Sequence, residues 1–312
     1  REAGLKDSPP GKTPAVQVRP SSAPRVAIEP PREHTDRRYL DALAERVVVF
    51  DGAMGTSIQK YDLTPADFGG EKYAGCIDHL VVHKPEVIEA IHASYLEAGC
   101  DAIETCTFRS NRLTMAEYGL ADRVPEMNRA AAELARRVAD RFSAEGRRRF
   151  VAGSIGPSGM LPSSSDPDLS KISFEDLADV FREQAEALIG GGCDLLLLET
   201  SQDMLEVRAA IVGVQRAFAV SGKKIPLQVQ VTLDTTGRML LGTDIAAVLA
   251  TLERMPVDAL GINCSTGPEH MRTPLGYLGE NSSLPISCMP NAGLPLNVGG
   301  HAVYPLGADD FA

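Results

Sequence analysis

A chain of 312 residues is long enough for one large domain or two small ones, and for a sizeable hydrophobic core. Its formal net charge of -11, with no basic run beyond Arg147, Arg148 and Arg149, speaks against nucleic acid as a partner. The six cysteines are too scattered for a secreted disulfide scaffold, and no apolar run reaches the ~20 residues that cross a bilayer, so a soluble, cytoplasmic protein with no membrane partner is expected.

Residues 1–35 are rich in proline and poor in large apolar side chains, and read as a flexible extension. From residue 36 to 312 the pattern becomes regular. A helix over 37–45 precedes the β-branched run 47–50, which ends at Asp51-Gly52-Ala53-Met54-Gly55-Thr56. Further strands are predicted at 102–105, 150–154, 195–200, 226–232, 259–263 and 285–289. Between them, helical periodicity covers 85–98, much of 124–144, 174–189, 204–220, 244–254 and 269–278. The triplet Arg147 to Arg149 marks the polar entry to a strand.

Short, nearly all-apolar strands alternating with helices are the pattern of a parallel sheet covered by helices. Seven such units match a (β/α)8 TIM-type barrel whose eighth strand is not reached by residue 312. The last residues are expected to lie in the seventh helix. The barrel domain is therefore expected to be incomplete at its C-terminal side, with two strand edges left to be covered.

Polar residues gather where the strands end. Asp51, Glu104, Thr105, Ser154, Glu199, Thr200, Thr232, Asn263, Cys264 and Asn291 all fall at or just past a C-terminal strand end, the face on which barrel enzymes place their sites. Asp51 and Thr232 read equally well as helix caps. A carboxylate at the end of an apolar strand, as at Glu104 and Glu199, needs a donor; a ligand amino group or a structural arginine would serve. Gly52 and Gly55 let backbone amides approach a ligand carboxylate. Cys264, at a strand-to-helix turn, suits a nucleophile or soft-metal ligand assisted by helix amides, and equally a buried filler. Cys76, in a loop, and Cys100 and Cys193, in turns leading into strands at the opposite end of the barrel, read as structural residues. Cys106 and Cys288 lie near strand ends on the site face.

Four segments carry a family resemblance: Asp51-Gly52-Ala53-Met54-Gly55-Thr56, Glu104-Thr105-Cys106-Thr107-Phe108, Gly261-Ile262-Asn263-Cys264 and Met289-Pro290-Asn291-Ala292-Gly293-Leu294-Pro295. In this order they resemble the homocysteine S-methyltransferase family, and within it the homocysteine-binding modules of cobalamin-dependent enzymes. The resemblance implies a (β/α)8 barrel in which three cysteines hold zinc and the homocysteine sulfur joins the metal. By resemblance Cys264 is one zinc ligand and, with Glu199, a catalytic residue. The other two ligands would be an adjacent cysteine pair in an eighth strand, and no such pair occurs here. Asn291 matches a residue that takes the fourth zinc position in the absence of homocysteine.

The resemblance also places the substrate carboxylate near the loop of Asp51, Gly52, Ala53, Met54 and Gly55. The amino group falls near Glu199 with help from Glu104 and Thr105, and Ser154 and Asn263 complete the binding set. A free thiol, with a pKa of about 8.5, is mostly protonated at neutral pH, and zinc would hold it as the reactive thiolate. Methylcobalamin would supply the methyl group to give methionine, and the expected partners are homocysteine and the cobalamin-binding and folate-binding modules of the same enzyme. Another methyl donor, or a non-catalytic truncated barrel, are the alternatives.

Overall fold

The computed structural model describes residues 33–144, 147–294, 296–298 and 301–311, so all but the end of the Pro-rich stretch 1–35 lies outside the described residues. Helix α1 (Arg38–Glu45) is followed by α2 (Met54–Ile58), α3 (Leu80–His83) and α4 (Pro85–Ala98). Strand β1 (Ala102–Glu104), α5 (Arg112–Ala116), α6 (Val124–Phe142), β2 (Phe150–Ile155) and α7 (Phe174–Gly190) come next. Then come β3 (Leu195–Ser201), α8 (Met204–Ser221), β4 (Leu227–Val231), α9 (Ile245–Leu252), β5 (Ala259–Asn263), α10 (Pro268–Asn281) and β6 (Ile286–Met289).

Local chemistry sets the helix ends. Pro85 opens α4 and Gly99, at φ 110°, closes it in the left-handed region that glycine adopts without strain. The side chains of Ser173, Asp203 and Asp244 cap α7, α8 and α9 by accepting from the amides of Asp176, Leu205 and Ala247.

Strands β1 to β6 form one parallel sheet whose spatial order is their chain order. Each strand reaches its neighbour through a helix that covers the outer face, as parallel pairing requires. Alternation along each strand sorts its side chains between two cores. Leu196 and Leu198 join the large outer core under the helices, whereas Leu195 and Leu197 face the inner one with Ala102, Phe150 and Ala152. The α1 residue Tyr39 plugs the inner core: its ring meets Phe50 and Phe150 edge-on and its hydroxyl donates to Gln228 Oε1 at 2.6 Å. Gly261 is required at the β5–β6 contact, because a Cβ there would lie 2.0 Å from Ser287 O.

Two expectations are revised. The run 47–50 is not a full strand: Phe50 forms a single parallel bridge to Ala102, with Val49 O accepting from the amides of Asp101 and Ala102. It has one neighbour, and Val47 remains 82% exposed on the open side. Instead of a seventh long helix, the residues after β6 form an antiparallel pair, β7 (Leu296–Val298) with β8 (His301–Val303), and the short α11 (Ala308–Phe311). Gly293, Pro305 and Gly307 punctuate that stretch against a continuous helix. No eighth parallel strand occurs among the described residues.

Candidate active site

Strand alternation assembles the site. The inward series ends at Glu104 on β1, Ser154 on β2, Glu199 on β3 and Asn263 on β5, so the last inward residue of four strands is polar. Asp51, Gly52, Ala53, Met54, Gly55, Glu104, Thr105, Ser154, Glu199 and Cys264 all line one cavity of about 330 Å³. Asn263 and Asn291 line a larger open cleft of about 1140 Å³ beside it, between the run 47–50 and β6. Asp51, Glu104, Glu199 and Cys264 border both. Asn291 is brought toward Cys264 by backbone bonds: Cys264 N donates to Met289 O at 3.0 Å and Asn291 N to Thr266 O at 3.0 Å.

A hydrogen-bond chain runs across the strand ends. Ser154 Oγ donates to Glu199 Oε1 at 2.6 Å, and Asn263 Nδ2 donates to Glu199 Oε2 at 3.0 Å and to Thr200 Oγ1 at 2.9 Å. Thr200 N donates to Asn263 Oδ1 at 2.8 Å, and Thr200 Oγ1 lies 3.5 Å from Cys264 Sγ. Asp51 accepts from Glu104 N through both carboxylate oxygens at 3.1 Å, so it is no helix cap. Thr232 Oγ1 donates to Asn263 O at 2.9 Å and is likewise no cap. The Thr105 hydroxyl pairs with Thr107 Oγ1 at 2.6 Å and accepts from Ser154 N at 3.0 Å, which engages it within the wall.

The Asp51, Glu104 and Glu199 carboxyls thus converge without a matching cation among the described residues. Burial, then the neighbouring Glu199 and Asp51, holds Glu104 far above the usual carboxylate range. Burial raises Asp51 and Glu199 as well, the latter opposed by donors from Ser154 and Asn263. The contact between the two carboxyls adds to the rise at Glu104 and opposes it at Glu199. The one basic side chain lining the cavity among the described residues, Arg109, is half exposed and reaches Glu117 at 3.4 Å.

Cys264 is half-buried, and burial pushes its thiol up while the Thr200 hydroxyl opposes the shift. Its sulfur is contacted by Thr200 and Asn263 side chains, not by the amides of α10 as the sequence suggested. Cys76, in the loop before α3, lies in the cavity wall, with Cys76 Sγ 3.9 Å from Met115 Sδ. Cys288 faces outward toward Met271 Sδ at 4.0 Å, away from the inward series. The sequence reading missed Ile77, Asp78, Met115 and Tyr118, which line the cavity from the stretch after α2 and from α5 onward. The signal was the long connection from Thr56 to Pro85 on the site face, a length that marks functional loops.

A zinc centre needs three protein ligands and an open position, or four. Among the described residues no group of three or more His, Cys, Asp or Glu side chains can hold a metal ion. Cys264 is the one sulfur at the carboxyl cluster that also faces the open cleft, so the described donors do not by themselves make such a centre. No helix among the described residues is long and apolar enough to cross a membrane.

A parallel α/β half-barrel with its polar residues at the C-terminal strand ends is the frame of a TIM-type enzyme. The sequence model of homocysteine S-methyltransferase matches residues 48–312, and the chain belongs to that family. It is 43% identical over 277 residues to methionine synthase of Mycobacterium tuberculosis, covering 89% of this chain and 23% of that protein. To methionine synthase of Mycobacterium leprae it is 42% identical over 277 residues, covering 89% and 22%. The chain thus spans less than a quarter of these relatives. The metallated form of the homocysteine methyltransferase MmuM from Escherichia coli superposes with a TM-score of 0.67 at 27% identity, over 82% of this chain and 87% of that one.

Proposed function

We propose that the chain is the homocysteine-binding module of a methionine synthase. The observation that carries this reading is the wall of Asp51, Glu104 and Glu199, one buried and two half-buried carboxyls with no counter-ion among the described residues, beside a cysteine. An amino acid supplies what the wall lacks. Its ammonium group bonds Glu199 and Glu104, and proton transfer among the carboxyls adjusts to the added charge. Its carboxylate meets the loop from Asp51 to Gly55, where the first amides of α2 have no intrahelical acceptor. Its side-chain sulfur extends toward Cys264.

Cys264 and Asn291 would be ligands from this chain to a zinc ion, whose remaining thiolates have to come from outside the described residues. Zinc supplies, when bound, a substrate sulfur kept as thiolate at neutral pH. The methyl group comes from methylcobalamin on a cobalamin-binding module, with a folate-binding module as further partner; the product is methionine. Family membership and two methionine synthase relatives above 40% identity support the reading of a methionine synthase module.

Calorimetric titration of homocysteine into the 312-residue chain tests the reading. Weak, roughly millimolar binding is expected, reduced about tenfold or more by Glu199→Gln, which removes the charged partner of the ammonium group. A zinc-dependent gain in affinity, if present, is expected to vanish in Cys264→Ala. Absence of binding, or an unchanged Glu199→Gln, would overturn the assignment.

A further inference from the structure

The strand-end geometry holds an oddity the family resemblance does not explain. Between Leu198↔Val229 and Ser201↔Val231 the third strand advances three residues while its neighbour advances two, which inserts one extra residue at Glu199-Thr200. Such a bulge re-aims side chains. Leu198 points outward and Glu199 inward, so in an unbroken strand Thr200 would face the outer helices. Instead Thr200 sits at φ 57°, in the left-handed region that a β-branched residue avoids. Two strands away Cys264 does the same at φ 58°, directly after the inward Asn263. The two left-handed residues turn consecutive pairs, Glu199 with Thr200 and Asn263 with Cys264, toward one point.

What holds Thr200 there is the Asn263 carboxamide, which accepts from Thr200 N at 2.8 Å and donates to Thr200 Oγ1 at 2.9 Å. This two-point clamp leaves the Thr200 hydroxyl hydrogen free to point at Cys264 Sγ, 3.5 Å away. We infer that Thr200 is a positioning residue, held in a strained conformation so that its hydroxyl fixes the direction of the Cys264 sulfur relative to the amino-acid pocket. Asn263 is the strut between the carboxyl wall and the sulfur, since the same amide nitrogen also donates to Glu199 Oε2 at 3.0 Å. Strain at a residue in contact with a reactive sulfur is retained when the geometry it enforces is used. The inference rests on reading the cavity as a homocysteine site, but its structural part stands apart from that ligand.

The test uses NMR of the chain with isotope-labelled cysteine Cβ, the Cys264 resonance being identified by its loss in Cys264→Ser. Wild type and Thr200→Ser, which keeps the hydroxyl, should give one sharp Cys264 signal. Thr200→Val should broaden or split it, and should weaken homocysteine binding roughly three- to tenfold, the worth of one lost hydrogen bond. Thr200→Gly, free of the left-handed strain, should melt no lower than wild type and yet show the same spectral disorder. That combination of retained stability and lost order is not what a merely structural threonine produces. A single, unmoved Cys264 resonance in Thr200→Val overturns the inference, as does a Thr200→Gly that keeps the sharp signal. If the wild-type chain does not bind homocysteine at all, the ligand assignment fails while the spectra still decide the role of Thr200.

Discussion

One buried carboxyl outside the cavity ties its folded-state proton to a local contact. Glu206, 1% exposed in the first turn of α8, accepts from Ser158 N at 2.8 Å and from the Ser158 hydroxyl, and so anchors the loop that follows β2. Burial pushes its pKa up to about 7 from the model-compound value of 4.5, and the neighbouring Asp203 adds to the rise. The folded form therefore favours the proton. Glu206 contributes stability that is fully present below pH 4.5 and is lost as pH rises toward about 7. Glu206→Gln, which keeps an oxygen for Ser158, should flatten this dependence. Chemical denaturation of wild type at pH 5 and pH 8 should differ by on the order of 1–3 kcal/mol more than the variant does. The residue scale was also where the sequence was least legible: position at a strand end identified Glu104, Ser154, Glu199, Thr200 and Asn263, but nothing in the sequence marks the extra residue that turns Thr200 inward.

Elements were legible because their signals are local. Proline at the start of α4, glycine at its end and side-chain caps on α7, α8 and α9 fix those boundaries within a residue or two of the predicted ones. The run 47–50 has the same composition as the true strands, yet its status depends on neighbours that no local pattern encodes. Close packing of α7 on α8 depends on Gly213: a Cβ there would lie 2.3 Å from Ala178 O and 2.9 Å from Arg182 N, both backbone atoms that cannot rotate away. Gly213→Ala should force the two helices apart and cost about 2–4 kcal/mol, read as a lowered thermal midpoint, despite alanine's better helix propensity. An unchanged midpoint would show that the pair can slide.

At the scale of the whole molecule the sheet has two unpaired edges among the described residues, at the run 47–50 and at β6, where Ile286 is 40% exposed. Each of these segments pairs on one side alone among the described residues, so hydrogen exchange should be faster over 47–50 and 286–289 than over β2, β3 and β4. Equal protection across all of these segments would contradict the open arrangement. The barrel class was legible from the count of alternating units, whereas the β7–β8 pair was not, because nothing before it announces a change from parallel to antiparallel pairing. The match between spatial order and chain order has one more consequence, for synthesis. A polypeptide emerging from its N-terminus can dock each unit beside the one already in place, with no strand waiting for a later insertion. The acidic wall is then finished by β3, while the thiol arrives only after β5, so a product stalled between them would possess the charge of the pocket without its sulfur.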